Sequence, residues 1–500
     1  MSKQRSIMEF VGLNVAAAKP PPAEKKKASS SSGITTTVRR TKPHAYTTTR
    51  AGTVVRGMYN VRVASLSPEQ ISMIEAKLTV KPRVNPTFAT GRATRYPLFF
   101  RSNTWLSVPR FYGMSTLGAP EESRLTDGEP LRASLTMEPR DYQIKVLEAL
   151  QSIFSVPHAP GAGATLEADC GSGKTAMAIA ASCKHGRRTA IVVHKSDLQQ
   201  QWVERLEAFT EGGSVGTVRG DKIDADHDFV IFMAQSVVTG RYPKELFESF
   251  GMLIVDEAHH WAAPTLSKTM AYFPARCVLA LTATPDRKDG LGFVLPWYFG
   301  STVALVKRQA QSGVTVEIVR RASGRAKEIR LRNGNPCLSR TISMMVADEE
   351  RNQYIVDRIL ELRQKGRYII VLSDRRKHLA TLREMLEAQL ENPEEVGTFA
   401  GETTKGGVAR RESERKRPVL LATVRMAEEG FDEARLDTLI FATPKSNIQQ
   451  CVGRIQRSHP EKQEPLIVDI FDSYAGGAMH GMHRARKKFY ESCRFNVQTL

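Results

Sequence analysis

Four unbroken apolar runs punctuate residues 135–298: Ala190-Ile191-Val192-Val193, Phe229-Val230-Ile231-Phe232, Met252-Leu253-Ile254-Val255 and Cys277-Val278-Leu279-Ala280-Leu281. Runs of four or five apolar residues without polar alternation suit strands buried on both faces, as in a parallel sheet. Amphipathic stretches such as 198–209 lie between them, so strand and helix alternate. That order predicts a doubly wound α/β domain. A second alternation spans 351–471. Its runs are Tyr368-Ile369-Ile370-Val371-Leu372, Val419-Leu420-Leu421-Ala422, Thr438-Leu439-Ile440-Phe441 and Leu466-Ile467-Val468-Asp469. Two tandem α/β domains are therefore expected.

The pattern differs elsewhere. Residues 1–57 hold Pro20-Pro21-Pro22, Lys25-Lys26-Lys27 and a serine run at 29–32, with few core formers, and read as a disordered basic tail. Residues 58–130 read as a small mixed accessory domain. Val61-Arg62-Val63 and Thr79-Val80 suggest short strands, and Pro68 opens a helix. The segments 96–100 and 105–112 are aromatic and β-prone. Two readings of those aromatics stand: they are core, or with the interleaved basic residues they grip nucleic acid. The remaining boundaries are expected at 131–298 for the first α/β domain, 299–345 for a connector with one or two strands, 346–475 for the second and 476–500 for a basic C-terminal helix.

Composition narrows the partner. A formal charge of +19 points to a polyanion, with nucleic acid leading. Up to residue 60, eleven Lys or Arg face only Glu9 and Glu24. The six cysteines are scattered without a C-x-x-C pair, which argues against a zinc site and for a reduced compartment. No apolar run reaches a membrane span, and no secretory signal is read.

The chemistry begins at Ala168-Asp169-Cys170-Gly171-Ser172-Gly173-Lys174-Thr175. This reads as a phosphate-binding loop between a strand and a helix. Gly171 and Gly173 let backbone N–H groups, with that of Ser172, close around phosphate oxygens. Lys174 can reach the β- and γ-phosphates, and the Thr175 hydroxyl can hold Mg²⁺. The strict pattern has Gly where Ala168 stands. Asp256-Glu257-Ala258-His259 follows an apolar strand directly, at the carboxyl end where such sheets bind ligands. Asp256 can hold Mg²⁺, and Glu257 can orient and deprotonate an attacking water.

Phosphate loop and D-E-A-H together resemble superfamily 2 helicases of the DEAD/DEAH-box type, and further motifs follow in order. Arg140-Asp141-Tyr142-Gln143 resembles the element beside the adenine, which implies nucleotide contacts for Arg140 and Gln143. Thr282-Ala283-Thr284-Pro285 resembles the motif that couples ATP state to the nucleic-acid groove. His259 and Gln450 fall with it among the implied coupling residues. Val193-His194-Lys195 and Met233-Ala234-Gln235-Ser236 look like backbone-gripping motifs, implying nucleic-acid contacts for Lys195, Gln235 and Ser236. Leu421-Ala422-Thr423 and Glu429-Gly430-Phe431-Asp432 resemble motif V, implying strand contact at Thr423 and nucleotide contact at Gly430 and Asp432. Gln450-Cys451-Val452-Gly453-Arg454-Ile455-Gln456-Arg457 matches Q-x-x-G-R-x-x-R. Phosphoryl transfer spreads charge over the γ-phosphate oxygens, and planar guanidinium groups suit it. Arg454 and Arg457 are three apart and share a face if helical.

Closer resemblance is to helicases of large DNA viruses related to the poxvirus transcript-release helicase. It is carried by His194-Lys195 with Gln201-Trp202, by Leu372-Ser373-Asp374-Arg375-Arg376-Lys377-His378-Leu379, by 436–446 and by 108–113. Arg287-Lys288-Asp289 has Lys where a related repair branch has Glu. The resemblance implies two RecA-like domains, ATP and Mg²⁺, strand contact at Arg375, and DNA or RNA as partner. It also implies a place in viral transcription, replication or repair, in the nucleus or a cytoplasmic viral factory, or packaged in virions. A duplex translocase that remodels transcription machinery is one alternative; a nucleic-acid scaffold with a dead ATPase is another. Lastly, Gln4, Ile7 and Phe10 resemble a sliding-clamp peptide, with Val11 in place of its second aromatic.

Overall fold

A computed structural model describes residues 34–39, 52–83, 94–156, 159–169, 171–283, 287, 289–308, 313–332, 334–400, 413–428, 433–457 and 459–500. The chain forms two compact units. One holds the described residues up to Lys307, and the other runs from Arg308 to Leu500.

The first unit is built on a nine-stranded sheet. Its order is Ile34–Val38, Thr302–Arg308, Ala162–Ala168, Cys277–Thr282, Met252–Val255, Thr189–Val193, Phe229–Met233, Val215–Arg219 and Lys222–Ile223. The interior pairs are parallel. The apolar runs explain this placement. Along Thr189–Val193, Ala190 and Val192 join one core and Ile191 and Val193 the core on the opposite face. Both faces are thus covered, as a continuous apolar strand requires. The helices Asp141–Phe154, Lys174–His185 and Ser196–Phe209 supply the second of these cores.

The second unit carries a seven-stranded parallel sheet: Val396–Phe399, Val419–Thr423, Ile369–Ser373, Thr438–Phe441, Leu466–Asp472, Thr315–Arg321 and Asn496–Thr499. Ile370 and Leu372 face one core, Ile369 and Val371 the other. Two buried ion pairs tie its helices to the sheet. Arg351 meets Asp472 at 3.1 Å, and Arg486 meets Asp469 at 2.8 Å, with the Tyr490 hydroxyl donating to the same carboxylate at 3.0 Å. Pairing offsets the cost of burying these charges.

Several boundaries differ from the expected ones. Ile34–Val38 and Gly52–Val55 are strands inside the stretch assigned to the tail. Ile34-Thr35-Thr36-Thr37-Val38 and Thr53-Val54-Val55 are β-branched runs, and an adjacent sheet edge outweighs the polar composition around them. The 299–345 connector is divided: Thr302–Arg308 belongs to the first sheet, while Thr315–Arg321 and the helix Leu338–Met345 belong to the second unit. The basic C-terminal helix is Gly477–Ser492, and it buries Met479, Arg486 and Tyr490 instead of standing apart. The Gln4, Ile7, Phe10 motif lies outside the described residues.

The accessory region, part of the first unit, carries a five-stranded sheet in the order Phe100–Arg101, Trp105–Pro109, Met58–Arg62, Gly52–Val55, Glu122–Arg124. The helix expected at Pro68 is Pro68–Leu78, with Ser67 capping it by accepting from the Gln70 N–H at 3.2 Å. The β-prone run 105–112 ends early, because Arg110–Leu117 is helical. Buried Arg110 donates to the Ala275 carbonyl at 3.0 Å, and that tertiary contact overrides aromatic β-propensity.

Candidate nucleotide-hydrolysis site

Sheet order brings the chemistry together. Cys277–Thr282 lies between Ala162–Ala168 and Met252–Val255, so their carboxyl ends adjoin. Glu167 pairs with Thr282, and Val255 with Ala280. Residues that follow these strands therefore converge on one crevice.

The loop after Ala162–Ala168 turns sharply. Gly171 and Gly173 stand at φ 74° and 81°, the left-handed region that a side chain rarely adopts. Ser172 closes the turn, its hydroxyl donating to the Asp169 carbonyl at 2.6 Å. The Tyr142 hydroxyl donates to the Ser172 carbonyl at 3.0 Å. A Cβ on Gly173 would lie 2.5 Å from Gln143 Nε2, so the adenine-element glutamine presses directly on the loop. Gln143 is itself held, since its Oε1 accepts from the Arg140 N–H at 2.9 Å. Arg140 is exposed. Lys174 opens a twelve-residue helix whose free N–H groups face the crevice, with Thr175 next to it. The Lys174 ammonium donates to the Ala168 carbonyl at 3.0 Å.

Asp256 is buried beyond Met252–Val255. Trp202 Nε1–H donates to Asp256 Oδ2 at 2.9 Å, and the Glu257 N–H to its Oδ1 at 2.9 Å. Burial, then the adjacent Glu257 carboxylate, push the Asp256 pKa up; Trp202 and the Lys174 ammonium pull against them. A buried carboxyl perturbed in this way marks a candidate functional site. Glu257 has φ 47°, one of three left-handed non-glycine positions among the described residues. This conformation costs on the order of 1–3 kcal/mol and persists where surrounding structure imposes it. Buried Glu257 Oε2 has no hydrogen-bond partner, although His259 Nδ1 stands 3.3 Å away without hydrogen-bond alignment.

His259 reaches Thr282 Oγ1 at 3.4 Å, linking the D-E-A-H turn to the T-A-T strand. Ala283 is buried beside it, and Thr284 lies outside the described residues. The rings of His194 and His259 each sit 4.2 Å from that of His260. Burial first, then Arg287, lowers the His259 pKa to about 4, so it is neutral near pH 7. Arg287, paired with Asp289 at 2.9 Å through Nε, also donates to the His259 carbonyl. The Arg287–Asp289 pair thus clamps the turn. Gln235 Nε2 donates to the His194 carbonyl at 2.8 Å, which places Gln235, Ser236 and Lys195 at this same end of the sheet.

In the second unit, Arg375 follows Ile369–Ser373 and donates to Ser339 Oγ at 3.0 Å, and Thr423 ends Val419–Thr423. Gln450 and Arg454 lie on Gln449–Ile455, and Arg454 Nε donates to the Ala427 carbonyl at 2.8 Å. The helix stops at Ile455 with Gln456 as its cap. Arg457 therefore stands past the helix end and not on its face; Lys462 Nζ donates to its carbonyl at 2.8 Å. Gly430 and Asp432 lie outside the described residues.

Nearby His378 makes a closed set. Its Nε2–H donates to Asn352 Oδ1 at 2.9 Å, and Nδ1 meets the Ser373 hydroxyl at 3.0 Å. Burial lowers its pKa to about 3. The unfolded chain takes up a proton near pH 6.5 that the folded state refuses, so stability falls as pH drops below that value. At pH 5.5 the loss is about 1 kcal/mol for this residue. Thermal unfolding of His378→Gln beside the parent at pH 7.5 and 5.5 checks this. The parent's extra loss at pH 5.5 should be absent in the variant; equal losses contradict the burial argument.

Residues 136–287 match the family model described as type III restriction enzyme, res subunit. A protein of Acanthamoeba polyphaga mimivirus, named as ATP-dependent RNA helicase L396, is 28% identical over 460 residues, covering 89% of this chain and 86% of that one. African swine fever virus QP509L, also named as an ATP-dependent RNA helicase, is 25% identical over 363 residues, covering 65% of this chain and 68% of its own. A Saccharomyces cerevisiae Dbp5 variant bound to RNA and ADP BeF3 shares the fold, with a TM-score of 0.50, 12% identity, and coverage of 71% of this chain and 89% of that one. These matches indicate an ATP-dependent enzyme of helicase type, on an α/β fold shared with RecA-like helicases. The chain's relatives from mimivirus and African swine fever virus carry helicase names.

Proposed function

We propose that this chain hydrolyses ATP with Lys174, Asp256, Glu257, Arg454 and Arg457, and spends the cycle moving along a nucleic-acid backbone. The observation that carries this reading is the meeting of Lys174, Asp256 and Glu257 in one crevice, with a buried Glu257 oxygen that accepts no hydrogen bond. Gly171, Ser172 and Gly173 cradle phosphate oxygens with backbone N–H groups, and Lys174 leaves the Ala168 carbonyl for the β- and γ-phosphates. Gln143, already seated on the loop, recognises the adenine with Arg140. Glu257 accepts the proton of the attacking water, and its buried Oε2 is the atom that would take it. Arg454 and Arg457 of the second unit stabilise charge on the transferring phosphoryl group. Gly430 and Asp432 complete the nucleotide contacts.

The donor set suits a hard divalent ion: a buried carboxylate, Asp256, and a hydroxyl, Thr175. Mg²⁺ held there supplies charge neutralisation at the phosphate oxygens. Trp202 fixes the Asp256 carboxylate, so Trp202→Phe should keep the packing and lose that bond. The expected result is a Mg²⁺ midpoint for ATP hydrolysis raised about tenfold, the scale of a hydrogen bond to a charged group. An unchanged midpoint contradicts this placement of the metal.

His259, Thr282, Ala283, Thr284 and Gln450 couple nucleotide state to the track, which Lys195, Gln235, Ser236, Arg375 and Thr423 contact through phosphates. Phosphate contacts make binding salt-sensitive and largely independent of sequence. The proposed track is DNA, in viral transcription, replication or repair, within the nucleus or a cytoplasmic factory of an infected cell. Gln4, Ile7 and Phe10 would tether the motor to a sliding clamp. Strand displacement on DNA, RNA and hybrid duplexes tests the assignment. ATP-dependent separation of DNA supports it, and separation of RNA alone moves the track to RNA. Hydrolysis on duplex DNA without separation instead supports a duplex translocase.

A further inference from the structure

The outer face of the accessory sheet lies apart from every residue assigned to hydrolysis. Register defines it. Val54, Tyr59, Val61, Leu106 and Val108 point into the core. Their neighbours therefore point the other way. Cross-strand pairs set Thr53 beside Asn60, Asn60 beside Ser107 and Ser107 beside Phe100, a polar track that ends in an aromatic ring. Asn60 and Ser107 are hydrogen-bonded to each other along it. Arg62 pairs with Trp105 in the next row, and its guanidinium lies 5.6 Å from the Trp105 ring centre.

This face is open. Phe100 is 45% exposed and Trp105 38%, which is unusual for aromatics beside a packed core. They border a cavity of about 490 Å³, inside the roughly 300–1,000 Å³ span of small-ligand sites. Arg56 and Arg124 stand at its opposite rim. Arg56 sits in the two-residue hairpin loop between Gly52–Val55 and Met58–Arg62, at φ 55°. The loop cannot relax outward easily, because Gly57 is pressed on the Met270 carbonyl: a Cβ there would lie 1.8 Å from that oxygen. The acid Glu122 shares this face and is paired to Arg124 at 2.8 Å. Arg56 and Arg62 leave the face net basic.

We propose that this face binds a single strand of nucleic acid, with unstacked bases on Trp105 and Phe100 and phosphates along Arg56, Arg62 and Arg124. Exposed rings fit base faces that a duplex keeps hidden, and the arginines match the backbone charge. Thr53, Asn60 and Ser107 offer hydrogen bonds to base edges between them. The proposal goes beyond the motor contacts: it is a second, nucleotide-independent grip, held while the RecA-like domains release and rebind.

The test uses the full chain without ATP, fluorescein-labelled dT12 and rU12, and a 12-base-pair duplex. Trp202 and Trp261 are fully buried and Trp297 is half-buried, so the stacking signal is the part of the emission quench that Trp105→Phe removes. The double variant Phe100→Ala/Trp105→Ala should bind the single strands at least tenfold more weakly, the scale of one or two lost stacking contacts. Its ATP turnover without nucleic acid should equal the parent's, and because both side chains are half exposed its unfolding temperature should hold. Arg56→Gln should lower the slope of log affinity against log salt by about 0.7, one phosphate contact on a single strand. Equal single-strand affinity in parent and double variant overturns the proposal, as does equal affinity for the duplex. So does a dimer of the parent that the double variant dissolves, for then a second copy covers the face. Oligomer binding that survives with no stimulated hydrolysis leaves this proposal standing and removes the motor reading instead.

Discussion

Glu257→Gln is expected to stop ATP turnover while ATP stays bound. The substitution keeps shape and removes the base, so hydrolysis should fall on the order of 10²-fold or more, the range seen when a positioned general base is lost. Binding should hold or tighten, because the buried Glu257–Asp256 repulsion that raises the Asp256 pKa is relieved. Lys174→Ala separates the two roles: it should weaken ATP binding itself, since Lys174 is the cation of the phosphate loop. Filter binding of labelled ATP beside single-turnover hydrolysis checks both. A Glu257→Gln enzyme that turns over near the parent rate contradicts the placement of the base.

The second large effect belongs to the other unit. Arg454→Ala and Arg457→Ala should each slow hydrolysis by about 10³-fold with little change in ATP affinity, because a finger acts on transition-state charge. Arg454→Lys should fail to rescue. Its Nε–H bond to the Ala427 carbonyl and its planar fork both need a guanidinium. Arg457 lies past the end of Gln449–Ile455, so its reach depends on the turn that Lys462 pins by its carbonyl. Lys462→Ala should therefore lower turnover in the same direction by a smaller factor. Normal ATP binding with parental turnover in both arginine variants contradicts a finger role.

Much of this was legible along the chain, and the reasons for the gaps are physical. Strands with unbroken apolar runs declared themselves, because burial on both faces leaves no polar alternation to hide them. The strand Ala162–Ala168 has no such run: Ala, Gly and Thr dilute it, and the phosphate loop alone marks it. Ile34–Val38 sat in polar low-complexity sequence, and only a partner strand makes it ordered. The positions of Lys174, Asp256 and Glu257 at strand ends were readable because their spacing from those ends is local. The Trp202–Asp256 bond spans 54 residues, and the Arg287 clamp on the D-E-A-H turn spans 28, so neither left a local signal. The accessory aromatics divided: Tyr112, on the helix Arg110–Leu117, is core, while Phe100 and Trp105 are turned outward by strand register, which composition does not reveal.

The central claim is that hydrolysis in this crevice is coupled to a nucleic-acid track. Steady-state ATP turnover by the parent chain, titrated with single-stranded DNA, duplex DNA and RNA at low salt, tests it most directly. The account predicts a saturable rise in rate with at least one polymer, a half-point that moves to higher polymer concentration as salt is raised, and no rise in Glu257→Gln. A rate that stays flat across all three polymers, in a chain that binds ATP, contradicts the account.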